Sequence, residues 1–327
     1  MISKRIFLSG LIALCCSLIA AEPARSDNYP SRSIIMVVPF SAGGPTDTLV
    51  RIIAARMQVL LGQSVIIENV TGAAGTLGVG RVVRAAPDGY TLSVGPMNSH
   101  VLTGAIYNLP FDLLKDLEPV ALLANNPSVV VSRKDAPAKD LKELIAWVKA
   151  NPEKLAGTSG VGAATHLGGI LFETLTGSHI QFIPYRGTSL AMQSLVSGQI
   201  DLIFDQLSSS LPQVQEGTIR PYAVMSKTRA QAAPDIPTVD EAGLPGLYLP
   251  VWNGMWVPKG TPKEIIDKLN RAVVESLTDA TVRKRLADIG QEIYPPEQQT
   301  PEALRAYQKA EIEKWWPIVK AAGIKAE

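Results

Sequence analysis

Three glycine-rich segments contain the residues of this chain that are best suited to bind an anion. Their sequences are PFSAGGPTD at 39–47, GAAGTLG at 72–78 and SGVGAATH at 159–166, and none contains Lys or Arg. Each follows an apolar run typical of a strand and precedes a helical pattern, where free N–H groups and the helix dipole favour negative charge. This combination predicts a carboxylate held reversibly by backbone N–H groups, hydroxyl groups and water, and argues against a polyphosphate.

Motifs that would indicate an enzyme are incomplete in this sequence. Gly160-Val161-Gly162 begins like a dinucleotide-binding fingerprint, but Thr165 stands where the third Gly or Ala belongs, and no acidic residue closes the next strand. The segment 157–161 has the Ser of a nucleophile elbow but lacks its final Gly. All three histidines precede Asp205, which excludes the chain order Ser–Asp–His, and their scatter does not indicate a metal cluster. We therefore predict no catalytic residue, metal or cofactor.

Three further residues have a structural interpretation beside a functional one. His166 lies one step into a helix, where it could bind a ligand or fix the turn. Asp205 ends an apolar strand, where it could face a cleft or cap a neighbouring turn. Arg186 lies in a further turn, at 185–188, and is the only Lys or Arg in the three glycine-rich segments and this turn. It could contact a ligand or could equally lie in solvent. The sequence leaves these alternatives open.

The elements that position the turns follow a repeated strand–helix order, which predicts an α/β fold with a mainly parallel sheet. Gly62 is expected to end the first helix of the mature chain, and Asp140 with Glu143 forms a capping pair for a later one. Thr261 is expected to be the N-cap of a helix with Pro at its first position. The predicted strands are 33–38, 65–67, 90–95, 155–158, 181–185 and 201–204.

The length of 327 residues favours two lobes, because it exceeds the commonest size of a single domain. Two α/β segments in series are followed by a helical tail with no strands of its own to cover. If the tail returns to the first sheet, residues 27–125 and 251–327 form the first lobe and residues 126–250 form an inserted second lobe. Chain crossings at 125–131 and 249–258 would then form a hinge.

The N-terminus has the pattern of a secretory signal peptide, predicted to cover residues 1–26. A Lys-Arg pair precedes an apolar run at 6–21, which is short for a membrane span and gives way to small residues. Cleavage after Ala21 or after Ser26 fits equally well. Both cysteines lie in this segment, so that the mature protein would contain no disulfide. We expect an exported, periplasmic protein.

The charge balance argues against a nucleic-acid partner. The chain has 31 Lys and Arg residues against 30 Asp and Glu residues, without a basic run of the kind that follows a phosphate backbone.

Motifs spread over the whole mature chain match one known pattern. They are PFSAGGPTD at 39–47, GAAG at 72–75, APDGYTL at 86–92, PYRG at 184–187, DLIFD at 201–205 and PTVDEAG at 237–243. Together they resemble the Bug family, the solute-binding proteins of tripartite tricarboxylate transporters. The resemblance implies a two-lobed Venus-flytrap fold of the type II periplasmic class, with a carboxylate bound between the lobes. It also implies docking to a membrane complex of one large and one small subunit.

The resemblance also assigns ligand-binding residues. In that family the first two glycine-rich loops hold one carboxylate, partly through water, and the second lobe reads the rest of the ligand. Carried over, the first half-site consists of Ser41, Gly43, Thr46, Asp47, Ala73 and Gly75. The second half-site consists of Ser159, Thr165, His166, Tyr185 and Asp205.

These observations predict a monomeric periplasmic solute-binding protein. Its ligand would be a dicarboxylate or an aromatic acid, delivered to the membrane subunits of a tripartite tricarboxylate transporter. A periplasmic hydrolase of a carboxylate ester and a protein that presents its ligand to a sensor kinase are the alternatives.

Overall fold

The computed structural model describes residues 29–321 and 323–325. The predicted signal peptide, with its cleavage sites and both cysteines, lies outside the described residues.

Strands and helices alternate through most of the described chain, as the sequence predicts. The strands are β1 Ile34–Val38, β2 Val65–Asn69, β3 Thr91–Pro96, β4 Leu117–Arg133, β5 Leu155–Thr158, β6 Gln181–Pro184, β7 Leu202–Gln206, β8 Ile219–Val224, β9 Pro250–Pro258 and β10 Glu292–Ile293. The α-helices are α1 Pro45–Leu61, α2 Thr76–Val83, α3 Thr103–Ile106, α4 Leu141–Ala150, α5 Ala164–Thr176, α6 Thr188–Val196, α7 Leu207–Gln215, α8 Lys263–Thr278, α9 Ala280–Asp288 and α10 Pro301–Ala321.

One strand, β4, belongs to two sheets and so defines the two lobes of the fold. The first lobe has the strand order β2-β1-β3-β9-β4-β10, and the second has the order β6-β5-β7-β4-β8. The strands β1, β2 and β3 are parallel, as are β5, β6 and β7, whereas β4 and β9 run antiparallel to their neighbours. The predicted two-lobed α/β fold is confirmed.

The partner of β4 changes within the strand. Leu117–Pro127 pairs with β9, and the next residues, Ser128–Ser132, pair with β7. Pro127 lies opposite Pro250 at this changeover. Because proline has no N–H to donate, the ladder between β4 and β9 is weakened where the chain passes from one sheet to the other. The lobe boundaries at residues 125/126 and 250/251 stay a prediction.

Two of the three predicted helix ends are found. Gly62 adopts a left-handed conformation after α1 and donates its N–H to the Gln58 carbonyl, and the Asp140 carboxylate accepts from the N–H of Glu143. The predicted N-cap at Thr261 is wrong. Its hydroxyl donates to the Pro258 carbonyl at 2.8 Å, and α8 begins only at Lys263.

The last helix, α10, packs on the first lobe through buried tryptophans. The carboxylate of Glu311 accepts hydrogen bonds from the indole N–H groups of Trp252 at 3.2 Å and Trp315 at 3.0 Å. One turn earlier, the Gln308 side chain accepts from the indole of Trp256 at 3.1 Å. Because Trp252 and Trp256 lie on β9, these contacts fix the tail against the sheet. None of the described helices combines the length and the apolar character that a membrane span requires.

Removal of the Glu311 carboxylate should destabilise the fold. Glu311→Leu leaves two buried indole donors without an acceptor, which we expect to lower the free energy of unfolding by about 2 kcal/mol or more. Glu311→Gln keeps an acceptor oxygen and should cost less than about 1 kcal/mol. Urea unfolding followed by tryptophan fluorescence measures both values. The exposed Glu313 provides the control, since Glu313→Leu should change stability by no more than about 0.5 kcal/mol. Equal stabilities of the two Leu variants would contradict this role.

Candidate functional site

Two cavities lie where the carboxyl ends of the parallel strands of the two lobes face each other. The inner cleft, of ≈ 10 Å³, is lined by the ends of β1, β3, β5 and β7, and the outer cavity, of ≈ 520 Å³, by the ends of β2, β5 and β6. Phe40 and Ser159 line both cavities. Ligands of open α/β sheets bind beyond the carboxyl ends of strands, so this is the candidate site.

The inner cleft is polar, but all of the described residues that line it are uncharged. Its polar side chains come from Ser41, Thr46, Asn98, Ser159, Thr188 and Gln206. Three of these residues stand at helix N-termini, because α1 begins at Pro45, α6 at Thr188 and α7 directly after Gln206. The N-cap of α2 lies at the outer cavity, as does the first turn of α5. In the inner cleft, helix dipoles therefore supply the positive potential that side chains do not.

The first glycine-rich loop is braced by Asp47, which is only 2 % exposed. Its carboxylate accepts from the Gly43 N–H and the Arg51 guanidinium, both at 2.8 Å, and from the Asn69 amide at 3.0 Å. Asn69 also donates to the Phe40 carbonyl at 3.0 Å. Burial alone would raise the pKa of Asp47, but the hydrogen bonds from Arg51, Gly43 and Asn69 outweigh it and lower the pKa. Asp47 and Gly43 therefore shape the loop from behind the cleft.

The second loop is held in a strained backbone conformation. Ala73 and Ala74 have φ angles of +45° and +51°, between Gly72 at +128° and Gly75 at +96°. A left-handed conformation costs a residue with a Cβ atom about 1–2 kcal/mol. At Gly75 a Cβ atom would lie 2.8 Å from the Ser99 Cβ, so that only glycine fits. Such strain is typical of functional loops, where surrounding structure maintains it.

The third turn is organised by two of the predicted site residues. The hydroxyl of Thr165, which is 1 % exposed, accepts from the Ser159 N–H at 2.8 Å. The Nδ1 atom of His166 accepts from the Gly162 N–H at 3.1 Å, and burial lowers the pKa of the ring. His166 therefore fixes its turn and, because it also lines the outer cavity, presents its ring there. Its role in fixing the turn is observed, and its role in binding a ligand stays a prediction.

Asp205 lies outside both cavities. Its carboxylate is fully buried and accepts from the Ser210 hydroxyl at 2.7 Å, at the beginning of α7. The adjacent residue, Gln206, lines the inner cleft. Successive side chains of a strand point to opposite faces, which explains why one residue faces the cleft and its neighbour does not. The capping interpretation of Asp205 is the one that the contacts favour.

The structure brings most, but not all, of the predicted site residues to the cavity walls. Those that line a cavity are Ser41, Thr46, Ala73, Gly75, Ser159, His166 and Tyr185. Those that lie behind the walls are Gly43, Asp47, Thr165 and Asp205.

Sequence reasoning missed three polar residues of the inner cleft. Asn98 follows the end of β3, Thr188 begins α6 and Gln206 ends β7. The rule applied to the glycine-rich turns, that ligands bind beyond strand ends, indicates the segments that contain these residues but not which residue of each segment faces the cleft. Asn98 is 2 % exposed, and its Oδ1 atom makes no hydrogen bond to the described residues. An unpaired buried acceptor of this kind is available to a donor on a ligand or to water.

The two lobes touch across the cleft. The hydroxyl groups of Ser41 and Ser189 share a hydrogen bond at 2.8 Å, and the Tyr107 hydroxyl donates to the Val161 carbonyl at 2.9 Å. Gly187 approaches Ser41 so closely that a Cβ atom there would lie 2.0 Å from the Ser41 hydroxyl oxygen. Within residues 29–321 and 323–325, no three His, Cys, Asp or Glu side chains are grouped to hold a metal ion. The arrangement is that of closed lobes around a polar cleft.

The pKa of Asp205 makes a pH-dependent prediction. Burial raises this pKa from 3.8 to about 6. Between pH 3.8 and about 6, the folded state therefore keeps a proton on Asp205 that the unfolded chain releases. The stabilisation of the fold by this proton is full below pH ~4 and is lost as the pH rises through ~6. Asp205→Asn should gain stability relative to the original chain between pH 4 and 7, by about 2–3 kcal/mol at most.

Urea unfolding at pH 4, 5.5 and 7 measures this difference. Ser210→Ala serves as the companion variant, because the Ser210 hydroxyl favours the charged form of Asp205. Loss of this hydroxyl in Ser210→Ala should make the free energy of unfolding fall more steeply as the pH rises. A difference between Asp205→Asn and the original chain that is constant over the three pH values would disprove the assignment.

Comparison with known proteins identifies relatives over almost the whole chain. Residues 49–324 match the family described as tripartite tricarboxylate transporter family receptor. The chain is 38 % identical to the periplasmic binding protein BugD, with a TM-score of 0.88 over 91 % of this chain and 100 % of BugD. It is 40 % identical to MatC from Rhodopseudomonas palustris, solved with malate, with a TM-score of 0.86 over 89 % and 100 % of the two chains. A further R. palustris protein, solved with adipate, is 33 % identical, with a TM-score of 0.86 over 91 % and 100 %.

The matched family consists of transporter receptors and BugD is a periplasmic binding protein, so the family is one of solute-binding proteins and not of enzymes. The prediction that the chain is not an enzyme is confirmed, and the ester-hydrolase alternative is set aside.

Proposed function

Because the chain belongs to the family of tripartite tricarboxylate transporter receptors and is a periplasmic solute-binding protein of that family, we propose a specific ligand class and partner for it. It captures a dicarboxylate or an aromatic acid between its lobes and delivers it to the membrane subunits of a tripartite tricarboxylate transporter. The N-terminal 26 residues direct its export as a signal peptide.

The convergence of helix N-termini on the cleft is the observation that carries this proposal. Five helices begin at the two cavities, and the inner cleft adds hydroxyl and amide groups without a charged side chain. A carboxylate gains from dipoles and hydrogen bonds there, yet it leaves no buried counter-ion unpaired when it departs. Reversible capture requires this balance. The malate and adipate bound by two structural neighbours support a carboxylate ligand.

The predicted residues divide into contact and bracing roles in this proposal. Ser41 and Thr46, with the strained loop at 72–75, hold one carboxylate. Asp47 keeps the first loop in shape, and Thr165 does so for Ser159. The residues of the second lobe that contact the remaining part of the ligand are Ser159, His166 and Tyr185.

A thermal-shift panel tests the ligand class. A ligand at a hundredfold over its Kd adds about 2.7 kcal/mol to stability, which for a chain of this length raises Tm by roughly 4 °C. We expect shifts with malate, adipate or benzoate and none with glucose or adenosine monophosphate. Shifts confined to the sugar or the nucleotide would refute the proposal.

Substitution of Asp47 should weaken every carboxylate ligand. Asp47→Asn places an amide where three donors converge, so the first loop loses its shape. We expect binding to weaken by about 1.4 kcal/mol or more, which is at least a tenfold rise in Kd. Isothermal titration calorimetry measures the change. The exposed Asp88 supplies the control, because Asp88→Asn lies away from both cavities. Unchanged affinity in Asp47→Asn would contradict the bracing role.

Ligand access requires the lobes to part, since the inner cleft has room for about one water molecule. The proposed rotation takes place at the changeover on β4. A further groove of ≈ 780 Å³, here called the rear groove, lies between the segment 228–232 after β8 and the segment 283–293 of α9 and β10, and none of its lining residues lines the two cleft cavities. Opening at the front would narrow this groove.

Bulky residues in the rear groove should therefore oppose opening. Ala232→Trp and Ala287→Trp are expected to lower Kd several-fold and to reduce the radius of gyration of the ligand-free protein in solution scattering. Ala306→Trp, on the exposed face of α10, controls for the added indole. Weaker binding in both groove variants, with the control unchanged, would exclude this hinge.

A further inference from the structure

The outer cavity is much larger than the inner cleft and has aromatic walls. Its ≈ 520 Å³ falls in the range of about 300–1,000 Å³ typical of sites for drug-sized ligands, so that a four-carbon acid would fill only part of it. Phe40 and Tyr107 line it from the first lobe, and Phe182 and Tyr185 line it from the second. Aromatic side chains on both walls favour a flat apolar body between them.

The charges around this cavity are of one sign. Arg186 and Lys325 are the charged side chains among the described residues that line it, and neither Asp nor Glu is present. Arg186 is exposed and forms no salt bridge with residues 29–321 or 323–325. Its guanidinium is therefore free to pair with an anionic group of a ligand.

The backbone fixes Arg186 at the edge of the cavity from both sides. Before it, the Tyr185 N–H donates to the Thr158 carbonyl at 2.8 Å. After it, Gly187 has a φ of +150° and packs directly against Ser41 of the opposite lobe. Closure of the lobes thus holds Arg186 near the mouth, where a bound ligand would partly shield it from water. The planar guanidinium binds a carboxylate through two parallel hydrogen bonds, which a Lys cannot match.

Building on the proposed function, we infer that Arg186 determines specificity for an aromatic dicarboxylate. One carboxylate lies at the first-lobe loops, where the two cavities meet beside Phe40. The ring lies between the aromatic walls of the outer cavity, and the second carboxylate pairs with Arg186. This residue thus distinguishes diacids from monoacids, and the walls distinguish aromatic from aliphatic bodies.

Four probes separate these two effects. Benzene-1,4-dicarboxylate carries a second carboxylate that benzoate lacks. Adipate carries a second carboxylate that hexanoate lacks, on an aliphatic chain instead of a ring. We expect calorimetry to give the lowest Kd for benzene-1,4-dicarboxylate. Arg186→Gln should raise Kd about tenfold for both diacids and less than about twofold for both monoacids, with Arg186→Lys in between. Lys134→Gln removes one exposed positive charge of the second lobe outside the cavities and should leave all four values within about twofold.

The outcomes distinguish this inference from the function on which it rests. Equal changes for diacids and monoacids in Arg186→Gln would overturn the role of Arg186 while leaving a carboxylate-binding protein. Tighter binding of adipate than of benzene-1,4-dicarboxylate would overturn the aromatic specificity. If the original chain bound none of the four probes but gave a thermal shift with malate, the inference alone would fail, whereas the absence of that shift as well would refute the proposed function. Retained benzoate affinity in Arg186→Gln verifies that the variant is folded.

Discussion

The pairing of β4 with both sheets is the constraint on which the rest of the structure depends. A strand that is hydrogen-bonded on both edges cannot slide or turn over without breaking a ladder, so the strands of each lobe keep a fixed register on it. The hydrogen bonding of β4 is weakest at the changeover between Pro127 and Ser128, because Pro127 and Pro250 face each other without N–H donors. The strand β9 lies on one edge of β4 and β7 on the other, and the parallel strands beyond them end near the changeover, where Pro96 of β3 and Gln206 of β7 line the same cleft.

The chemistry of the cleft follows from this meeting of strand ends. Every parallel strand here leads into a helix, so each strand end contributes a helix N-terminus within a few residues. The fold thereby concentrates positive potential without charged side chains in the inner cleft, and residues such as Asp47 are used to shape loops. A cation in that place would hold the carboxylate more tightly but would be left buried and unpaired after release, at a cost of several kcal/mol. Dipoles and hydroxyl groups avoid that cost.

The sequence predicted elements and turns well, because strand runs, Gly62 and the Asp140 pair act over a few residues. It did not predict β4, whose 17 residues contain prolines at 119 and 127 that argue against a central strand. Nor could the sequence predict which of Asp205 and Gln206 faces the cleft, since the orientation of a strand residue depends on the register of β7 with β4. Thr261 was misassigned because its hydroxyl has a competing acceptor in the preceding turn. The failures at β4 and Gln206 concern contacts set by tertiary structure, whereas the failure at Thr261 concerns a competing local contact.

In this proposal the inner cleft binds the shared carboxylate and the outer cavity selects among ligands, and the different burial of their walls explains this division. Thr46 and Asn98 at the inner cleft are almost fully buried, and the Thr46 hydroxyl donates to the Asn253 side chain behind it, so that little freedom remains in how this wall meets a carboxylate. The outer cavity is open to solvent at Arg186 and has few hydrogen bonds across it, so residues there can change without disturbing the loops beneath. A chain built this way can change its ligand by changes at the mouth. The anchoring loops, with their strained alanines and close glycine contacts, tolerate little variation.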